Sequence, residues 1–202
     1  NLDAIKKNYL YAKSLSPKSK AIAIIKANAY GHDAVKVAKH LKDCADCYGV
    51  ACSEEALELR NSGISSTPIL LLEGVFEESE LNLVDKHNLW MVVCNDTQLQ
   101  WILKSKPSHK FDVFVKIDSG MGRLGFQEKD SNKAINSLEN SSNVKNITLM
   151  THFSSANNQN SPSTTNQIEQ FNNIIDSNQN NTSLANSAAL MAFEKAHSEY
   201  TR

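Results

Sequence analysis

Ala21-Ile-Ala-Ile-Ile-Lys26-Ala-Asn-Ala-Tyr30-Gly-His32 joins a short apolar run to a polar turn. Five consecutive apolar residues bounded by turn signals predict a β-strand that is buried on both faces. Lys26 comes at the end of that strand, where burial lowers the pKa of an ammonium group and favours the nucleophilic amine. The alternative is a lysine whose side chain extends past the strand end into water. Position alone leaves both interpretations open.

The rest of the chain repeats a strand followed by a helix. Apolar runs bounded by turn residues predict strands at residues 21–25, 47–51, 68–72, 89–93, 111–117, 147–150, 183–185 and 200–201. Helical periodicity predicts helices at residues 2–15, 34–41, 53–61, 77–87, 97–104, 130–138, 167–175 and 187–191. This alternation predicts an α/β fold with a parallel sheet. About eight such units in a chain of this length favour a (β/α)8 TIM-type barrel, incomplete at its C-terminal end, over an open doubly wound sheet.

Local signals predict several helix ends. Asp33 and Ser53 are expected to cap the helices that follow them, because a short polar side chain accepts from the first free N–H groups. Glu54 and Glu55 then lie in the first turn of the second of these helices, where the helix dipole favours carboxylates. Gly63 is expected to end that helix.

The composition indicates an ordinary globular protein. Of the 202 residues, 41% are hydrophobic and 21% are charged, and the formal net charge is -1, so neither nucleic acid nor a membrane is expected as a partner. Cys44 and Cys47 form a lone C-x-x-C without a second pair, which indicates thiols in a reducing, cytoplasmic compartment rather than a metal site. The chain starts at Asn1 without an initiator Met, so we expect a piece of a longer protein.

Polar residues follow the predicted strand ends, and in this fold such residues share one rim. Between residues 116 and 126, three glycines let the backbone turn sharply around Arg123, which can present its planar fork to a carboxylate or a phosphate. The alternative for Arg123 is a solvated surface turn. His152 is either a rim residue or a hydrogen-bonded core histidine. The rim residues predicted in this way are Lys26, Tyr30, Lys116, Arg123, His152, Asn186, Ser187 and Arg202.

Four motifs resemble those of alanine racemases, in the same order along the chain. They are the Lys26 stretch, Lys116-Ile-Asp-Ser-Gly-Met-Gly-Arg123-Leu-Gly-Phe, Thr151-His152-Phe153 and Asn186-Ser187-Ala-Ala. The resemblance implies a barrel domain at residues 1–202 that binds pyridoxal 5'-phosphate (PLP), and a C-terminal β domain outside this chain. It also implies a homodimer that racemises L-alanine and D-alanine and so supplies D-alanine for peptidoglycan.

The resemblance assigns a role to each rim residue. Lys26 forms the Schiff base with PLP and is one of two acid/base groups. Tyr30 and Ser187 hold the cofactor phosphate. By the same resemblance, Arg123 binds the substrate carboxylate and the phenolic oxygen of the cofactor. Lys116 supports that arginine and matches a lysine that is carbamylated in several members of the family. His152 contacts the pyridine ring with Asn186 nearby, and Arg202 contacts the ring nitrogen.

The second acid/base group of the family is a tyrosine of the partner's C-terminal domain, so residues 1–202 alone are expected to be inactive. Three alternatives remain open at this point. They are a non-catalytic PLP-binding protein of cofactor homeostasis, a racemase for serine or a broader range of amino acids, and a sugar- or phosphate-metabolising barrel with a Schiff-base lysine and no PLP.

Overall fold

Eight parallel strands form one sheet in the computed structural model, which describes residues 1–175 and 178–202. The strands are β1 (Lys20–Ile24), β2 (Cys47–Val50), β3 (Ile69–Leu71), β4 (Trp90–Val93), β5 (Phe111–Lys116), β6 (Val144–Met150), β7 (Asn181–Ser183) and β8 (Tyr200–Thr201). Their order is β7-β6-β5-β4-β3-β2-β1-β8, so each strand lies beside its predecessor except β8, which pairs with β1. This order is that of a nearly closed (β/α)8 barrel, and the predicted fold class is confirmed.

Helices cover the outside of the barrel. They are α1 (Leu2–Leu15), α2 (Lys26–Gly31), α3 (Ala34–Leu41), α4 (Ser53–Asn61), α5 (Leu81–Lys86), α6 (Asp96–Lys104), α7 (Glu128–Glu139), α8 (Ser163–Ile175) and α9 (Ser187–Ala192). Short 3-10 turns stand at Glu78–Glu80 and Glu194–Ala196. Among the described residues, no helix has both the length and the apolar character that crossing a membrane requires.

Alternation along the strands divides the core into two layers. Ile22, Leu70, Val92 and Phe114 belong to a cluster that fills the barrel interior, where the rings of Phe114 and Tyr200 meet edge to face with centroids 5.3 Å apart. The neighbouring strand residues instead pack against the helices in the larger outer cluster. The strands are therefore buried on both faces, as the continuous apolar runs predicted.

A backbone hydrogen bond and the Glu199 side chain close the seam between β7 and β8. The Arg202 N–H donates to the Ala185 carbonyl at 2.9 Å. Glu199 accepts from the Thr182 N–H at 2.8 Å and from its hydroxyl at 3.0 Å. These contacts bring the ends of β7 and β8 together and place Arg202 beside the other strand ends.

Several strands and helices begin or end at other residues than predicted. β6 begins at Val144 rather than residue 147, because pairing with β5 extends the ladder through its polar residues. β7 occupies Asn181–Ser183 rather than 183–185, since its register is set by β6. α8 begins at Ser163, directly after Pro162, which suits a helix start. Residues 77–87 divide into a 3-10 turn and α5.

One predicted cap is confirmed and one is wrong. The Asp33 side chain accepts from the Lys36 N–H at 3.0 Å and caps α3. Ser53, in contrast, is the first residue of α4, and Cys52 is its N-cap. The Ser53 hydroxyl instead donates to the carboxylate of Glu80, which packs against this helix start. Gly63 follows the end of α4 with φ of +97°, in agreement with the predicted stop.

Tyr9 joins α1 to the barrel, and its removal is expected to destabilise the chain. Its hydroxyl donates to the Ala21 carbonyl at 2.8 Å and accepts from the Asp46 N–H at 3.2 Å. Tyr9→Phe leaves both partners without this hydroxyl, so we expect the free energy of unfolding to fall by about 1–3 kcal/mol. The control is Tyr11→Phe, because Tyr11 is 60% exposed on the same helix. Urea unfolding measures both, and equal stability of the two variants would contradict the prediction.

Candidate active site

The turn after β1 has an unusual backbone. β1 ends at Ile24, and Lys26 begins the short helical turn α2 instead of ending the strand. Ala27, Asn28, Ala29 and Tyr30 have φ values of 51°, 52°, 52° and 54°, in the left-handed region. Each such residue costs roughly 1–2 kcal/mol, so contacts from elsewhere must hold the turn.

Neighbouring segments supply those contacts. The Asn28 side-chain oxygen accepts from the Ala34 N–H at 2.8 Å, and the Asn28 carbonyl accepts from the Asp33 N–H at 3.1 Å. The Glu55 carboxylate accepts from the Ala27 N–H. Lys26 itself is half-buried, and its side chain forms no ion pair with any described residue.

Asp118 organises the loop that carries Arg123. Its Oδ1 accepts from the N–H groups of Gly120 and Gly122, both at 3.0 Å, and its Oδ2 accepts from the Gln127 side chain at 3.3 Å. Burial alone would raise the pKa of Asp118, but these donors outweigh it and hold the pKa below its ordinary value. Arg123 is exposed on this fixed loop and forms no ion pair within the described part of the chain.

His152 follows β6 and is held through its backbone. The Gln167 amide donates to the His152 carbonyl at 3.1 Å, while its oxygen accepts from the Ser154 N–H at 3.1 Å. Asn186 caps α9 by accepting from the Ala189 N–H at 3.0 Å, so part of its side chain is already engaged in the helix start. Ser187 is exposed directly after it.

Arg202 enters the site from β8 with its guanidinium oriented by the neighbouring strands. Nη1 donates to the Ser183 carbonyl at 3.1 Å, and Nη2 donates to the Thr151 carbonyl at 2.7 Å and the Leu184 carbonyl at 3.3 Å. Nε has no hydrogen-bond partner among the residues that the structure describes. One donor of this arginine therefore remains for a ligand.

One cavity of about 980 Å³ brings all the predicted rim residues together at the carboxyl ends of the strands. They are Lys26, Tyr30, Lys116, Arg123, His152, Asn186, Ser187 and Arg202. Glu73 is the sole carboxylate among the described residues of its lining, against four lysine and arginine side chains. The cavity is therefore suited to an anionic ligand.

Burial lowers the pKa values of three bases in this cavity, and neighbouring cations add to the effect for two of them. Desolvation, followed by the charges of Arg202 and Arg123, lowers the pKa of Lys116 from 10.5 to about 7. Desolvation and the same cations lower the pKa of His152 to about 3, so its imidazole is neutral at neutral pH. Burial lowers the pKa of Arg202 to about 10, which leaves this guanidinium charged.

The lowered pKa of Lys116 gives the folded chain a pH-dependent stability. Between pH 7 and 10.5 the unfolded chain binds a proton that the folded chain lacks, so this lysine's contribution to stability falls as the pH drops through that window. Lys116→Met is expected to raise the free energy of unfolding at pH 7 by about 1–4 kcal/mol, and the gain should shrink toward pH 10.5. The measurement is urea unfolding in bicarbonate-free buffer at several pH values, with exposed Lys106→Met as control. Parallel pH curves for wild type and Lys116→Met would contradict the prediction.

From the sequence, no role in this site was assigned to four residues that support it. Asp118 stands directly before Ser-Gly, and this turn signal was available locally. Glu55 was assigned only to the helix dipole. Gln167 supports His152 across 15 residues, and Gln98 donates to the carbonyls of Glu73 and Val75 at 2.8 and 3.0 Å. These contacts between elements have no local signal.

Comparison with known proteins agrees with this arrangement. The family model described as "Alanine racemase, N-terminal domain" matches residues 1–202. The chain is 44% identical over 203 residues to a catabolic alanine racemase of Pseudomonas putida and 42% identical over 202 residues to an alanine racemase of Aromatoleum aromaticum. All of this chain is covered in each match, with 56% and 57% of those proteins.

Solved structures agree as well. The crystal structure of the biosynthetic alanine racemase from Pseudomonas aeruginosa superposes with a TM-score of 0.95 at 40% identity, covering 100% of this chain and 56% of that chain. The chain thus spans a little over half the length of the relatives that it matches. With a family match over its full length and the same barrel, the chain belongs to the alanine racemase family, in its N-terminal domain.

Proposed function

We propose that residues 1–202 are the PLP-binding barrel domain of an enzyme that interconverts L-alanine and D-alanine. The observation that carries this proposal is the cavity at the strand ends, which Lys26 lines together with Lys116, Arg123 and Arg202. A free amine beside fixed cations suits covalent attachment of an anionic aldehyde cofactor and binding of a carboxylate substrate.

The residues present fit PLP. Arg202 lines the cavity and has a free Nε donor, which is suited to the ring nitrogen, while its two other nitrogens are engaged. Tyr30 and Ser187 line the same cavity, and their hydroxyls are suited to the cofactor phosphate. Bound PLP supplies an electron sink that delocalises the negative charge left at Cα when its proton is removed.

Three side chains of the cavity have separate roles in the reaction at Cα. Lys26 holds the cofactor covalently and moves the Cα proton on one face of the substrate. Arg123 binds the substrate carboxylate and meets the phenolic oxygen from its fixed loop. Arg202 donates to the ring nitrogen without giving up its proton, because its pKa stays about three units above neutral pH. This restrains side reactions such as transamination.

Lys116 and His152 complete the cavity wall. A lysine with a pKa of about 7 is partly neutral at neutral pH, which carbamylation requires, and a carbamate here would place a negative charge beside Arg123. His152 contributes a neutral ring that can lie against the cofactor, with Asn186 nearby. We therefore propose a supporting role for a carbamylated Lys116 and a packing role for His152.

Racemisation needs a second acid/base group on the opposite face of Cα. By resemblance to the family, we propose that this group is a tyrosine of the partner subunit's C-terminal domain and that the active form is a homodimer of the whole protein. Residues 1–202 alone are expected to bind PLP and not to racemise alanine. Four free thiols favour a cytoplasmic enzyme, and its D-alanine would serve peptidoglycan.

The test uses the whole protein that carries this chain, purified with PLP. We expect a yellow protein that converts L-alanine to D-alanine and the reverse, followed by circular dichroism of the product mixture. A colourless protein would contradict PLP binding, and a yellow protein inactive on every amino acid would indicate a cofactor-homeostasis protein. Faster turnover of serine than of alanine would indicate a racemase of different specificity.

A further inference from the structure

Glu55 connects the Lys26 turn to the neighbouring strand. Its Oε1 accepts from the Ala27 N–H at 2.7 Å, and its Oε2 accepts from the Ala51 N–H at 2.8 Å. Ala27 is the residue after Lys26, and Ala51 is the residue after β2. One carboxylate therefore joins the ends of two adjacent strands at the mouth of the cavity.

This bridge fixes the backbone on one side of Lys26, and the sheet fixes it on the other. The Ile25 N–H donates to the Gly49 carbonyl at 2.9 Å, so Lys26 lies between two anchored amides. The Ala27 contact stands at the first of the four left-handed residues, whose backbone conformation is unfavourable on its own. Without Glu55, nothing among the described contacts holds the Ala27 N–H.

Helix capping explains only one of the two hydrogen bonds that Glu55 accepts. A glutamate in the first turn of a helix commonly accepts from a backbone N–H just before that helix, and this accounts for the bond to Ala51. It gives no reason for the second oxygen to accept from Ala27, 28 residues away in the sequence. That second bond is directed at the segment carrying the amine.

We propose that Glu55 is a positioning residue for Lys26, holding the left-handed turn so that the amine is directed into the cavity; this rests on the proposed attachment of PLP to Lys26. Both of its contacts are N–H donors, so two acceptor oxygens are needed. In Glu55→Gln the side-chain NH2 must face one of these donors, and one contact is lost.

The experiment compares wild type, Glu55→Gln and the adjacent, exposed Glu54→Gln in the whole protein. The first measurement is the rate at which PLP and borohydride label Lys26, identified by mass spectrometry. Labelling in Glu55→Gln should be ten- to a hundredfold slower at a temperature where both proteins are folded, because a displacement of about 1 Å is enough for such a loss. The second is exchange of the Ala27 amide hydrogen in cofactor-free protein, which should accelerate at least about tenfold. Glu54→Gln should match wild type in both.

The outcomes separate this inference from the proposed function. Wild-type labelling of Lys26 with equal labelling in Glu55→Gln would overturn the positioning role and leave the cofactor assignment standing. Absence of label on Lys26 in wild type would overturn both. If Glu55→Gln fails to fold, Glu55→Asp takes its place, because its shorter side chain cannot span both amides. Wild-type labelling and exchange in a folded Glu55→Asp would also overturn the proposal.

Discussion

Lys26→Arg will remove covalent labelling by PLP and borohydride and will slow alanine racemisation by about 10²–10⁴-fold or more. Arginine keeps a positive charge at the cavity wall, but its guanidinium stays protonated and cannot attack an aldehyde. The variant also loses the group that moves the Cα proton, and that loss alone accounts for a factor of this size. The measurements are mass spectrometry of the reduced protein and the rate of D-alanine formation.

The matched control for Lys26→Arg is Lys20→Arg. Lys20 begins the same strand at the opposite end of the barrel, where its ammonium lies over the Tyr200 ring at 5.7 Å. Arginine preserves that contact, so labelling and activity should remain at wild-type values. Lys116 is the other lysine amine in the described lining of the cavity. Label on Lys116 rather than Lys26 in the wild-type protein would reassign the cofactor lysine.

Gly125→Ala will unfold or severely destabilise the loop that carries Arg123. Gly125 has φ of +126°, and an added Cβ would lie 2.8 Å from the Asp118 nitrogen, 2.9 Å from the Ile117 carbonyl carbon and 3.0 Å from the Lys116 oxygen. All three atoms belong to the backbone of the preceding segment, so relief requires opening the bridge in which Phe126 pairs with it. We expect a loss of about 3 kcal/mol or more in the free energy of unfolding.

Gly122→Ala is the control that separates the steric clash of the Cβ added at residue 125 from the cost of a positive φ. Gly122 also has a positive φ, +70°, but nothing lies within 4 Å of an added Cβ. This variant carries only the backbone penalty of about 1–2 kcal/mol. Urea unfolding gives both values, and KM for alanine in the whole protein should rise much more for Gly125→Ala as Arg123 moves. Equal losses of unfolding free energy in the two variants would contradict the prediction that the contacts of the added Cβ destabilise Gly125→Ala.

The fold could be predicted from the sequence because the patterns that indicate its strands and helices are local. Mostly apolar runs of two to seven residues alternate with amphipathic segments, and the composition of each run indicates its burial without reference to the rest of the chain. The rule that strand ends share one mouth then places Lys26, Arg123 and His152 on one rim. Boundaries were less accurate, as at β7, since the register of a strand is set by its neighbour.

The contacts that support the site could not be predicted from the sequence in the same way. Nothing in Ala27-Asn-Ala-Tyr30 predicts four left-handed residues, because none of them is glycine and each alone favours another conformation. The turn persists because a carboxylate from α4 and the side chain of Asn28 hold it. The lowered pKa of Lys116 likewise depends first on its burial and then on the charges of Arg202 and Arg123, which approach it only when the barrel closes.

The sequence by itself determined the order of strands and helices, the barrel and the set of polar residues at its mouth. Each of these follows from the periodicity and chemistry of a contiguous segment. The tertiary structure alone decided how the backbone around Lys26 is held, which donors of Arg202 remain free and how far the pKa values shift. Those properties depend on distances between atoms of different elements, and such distances exist only once the sheet has brought distant segments side by side.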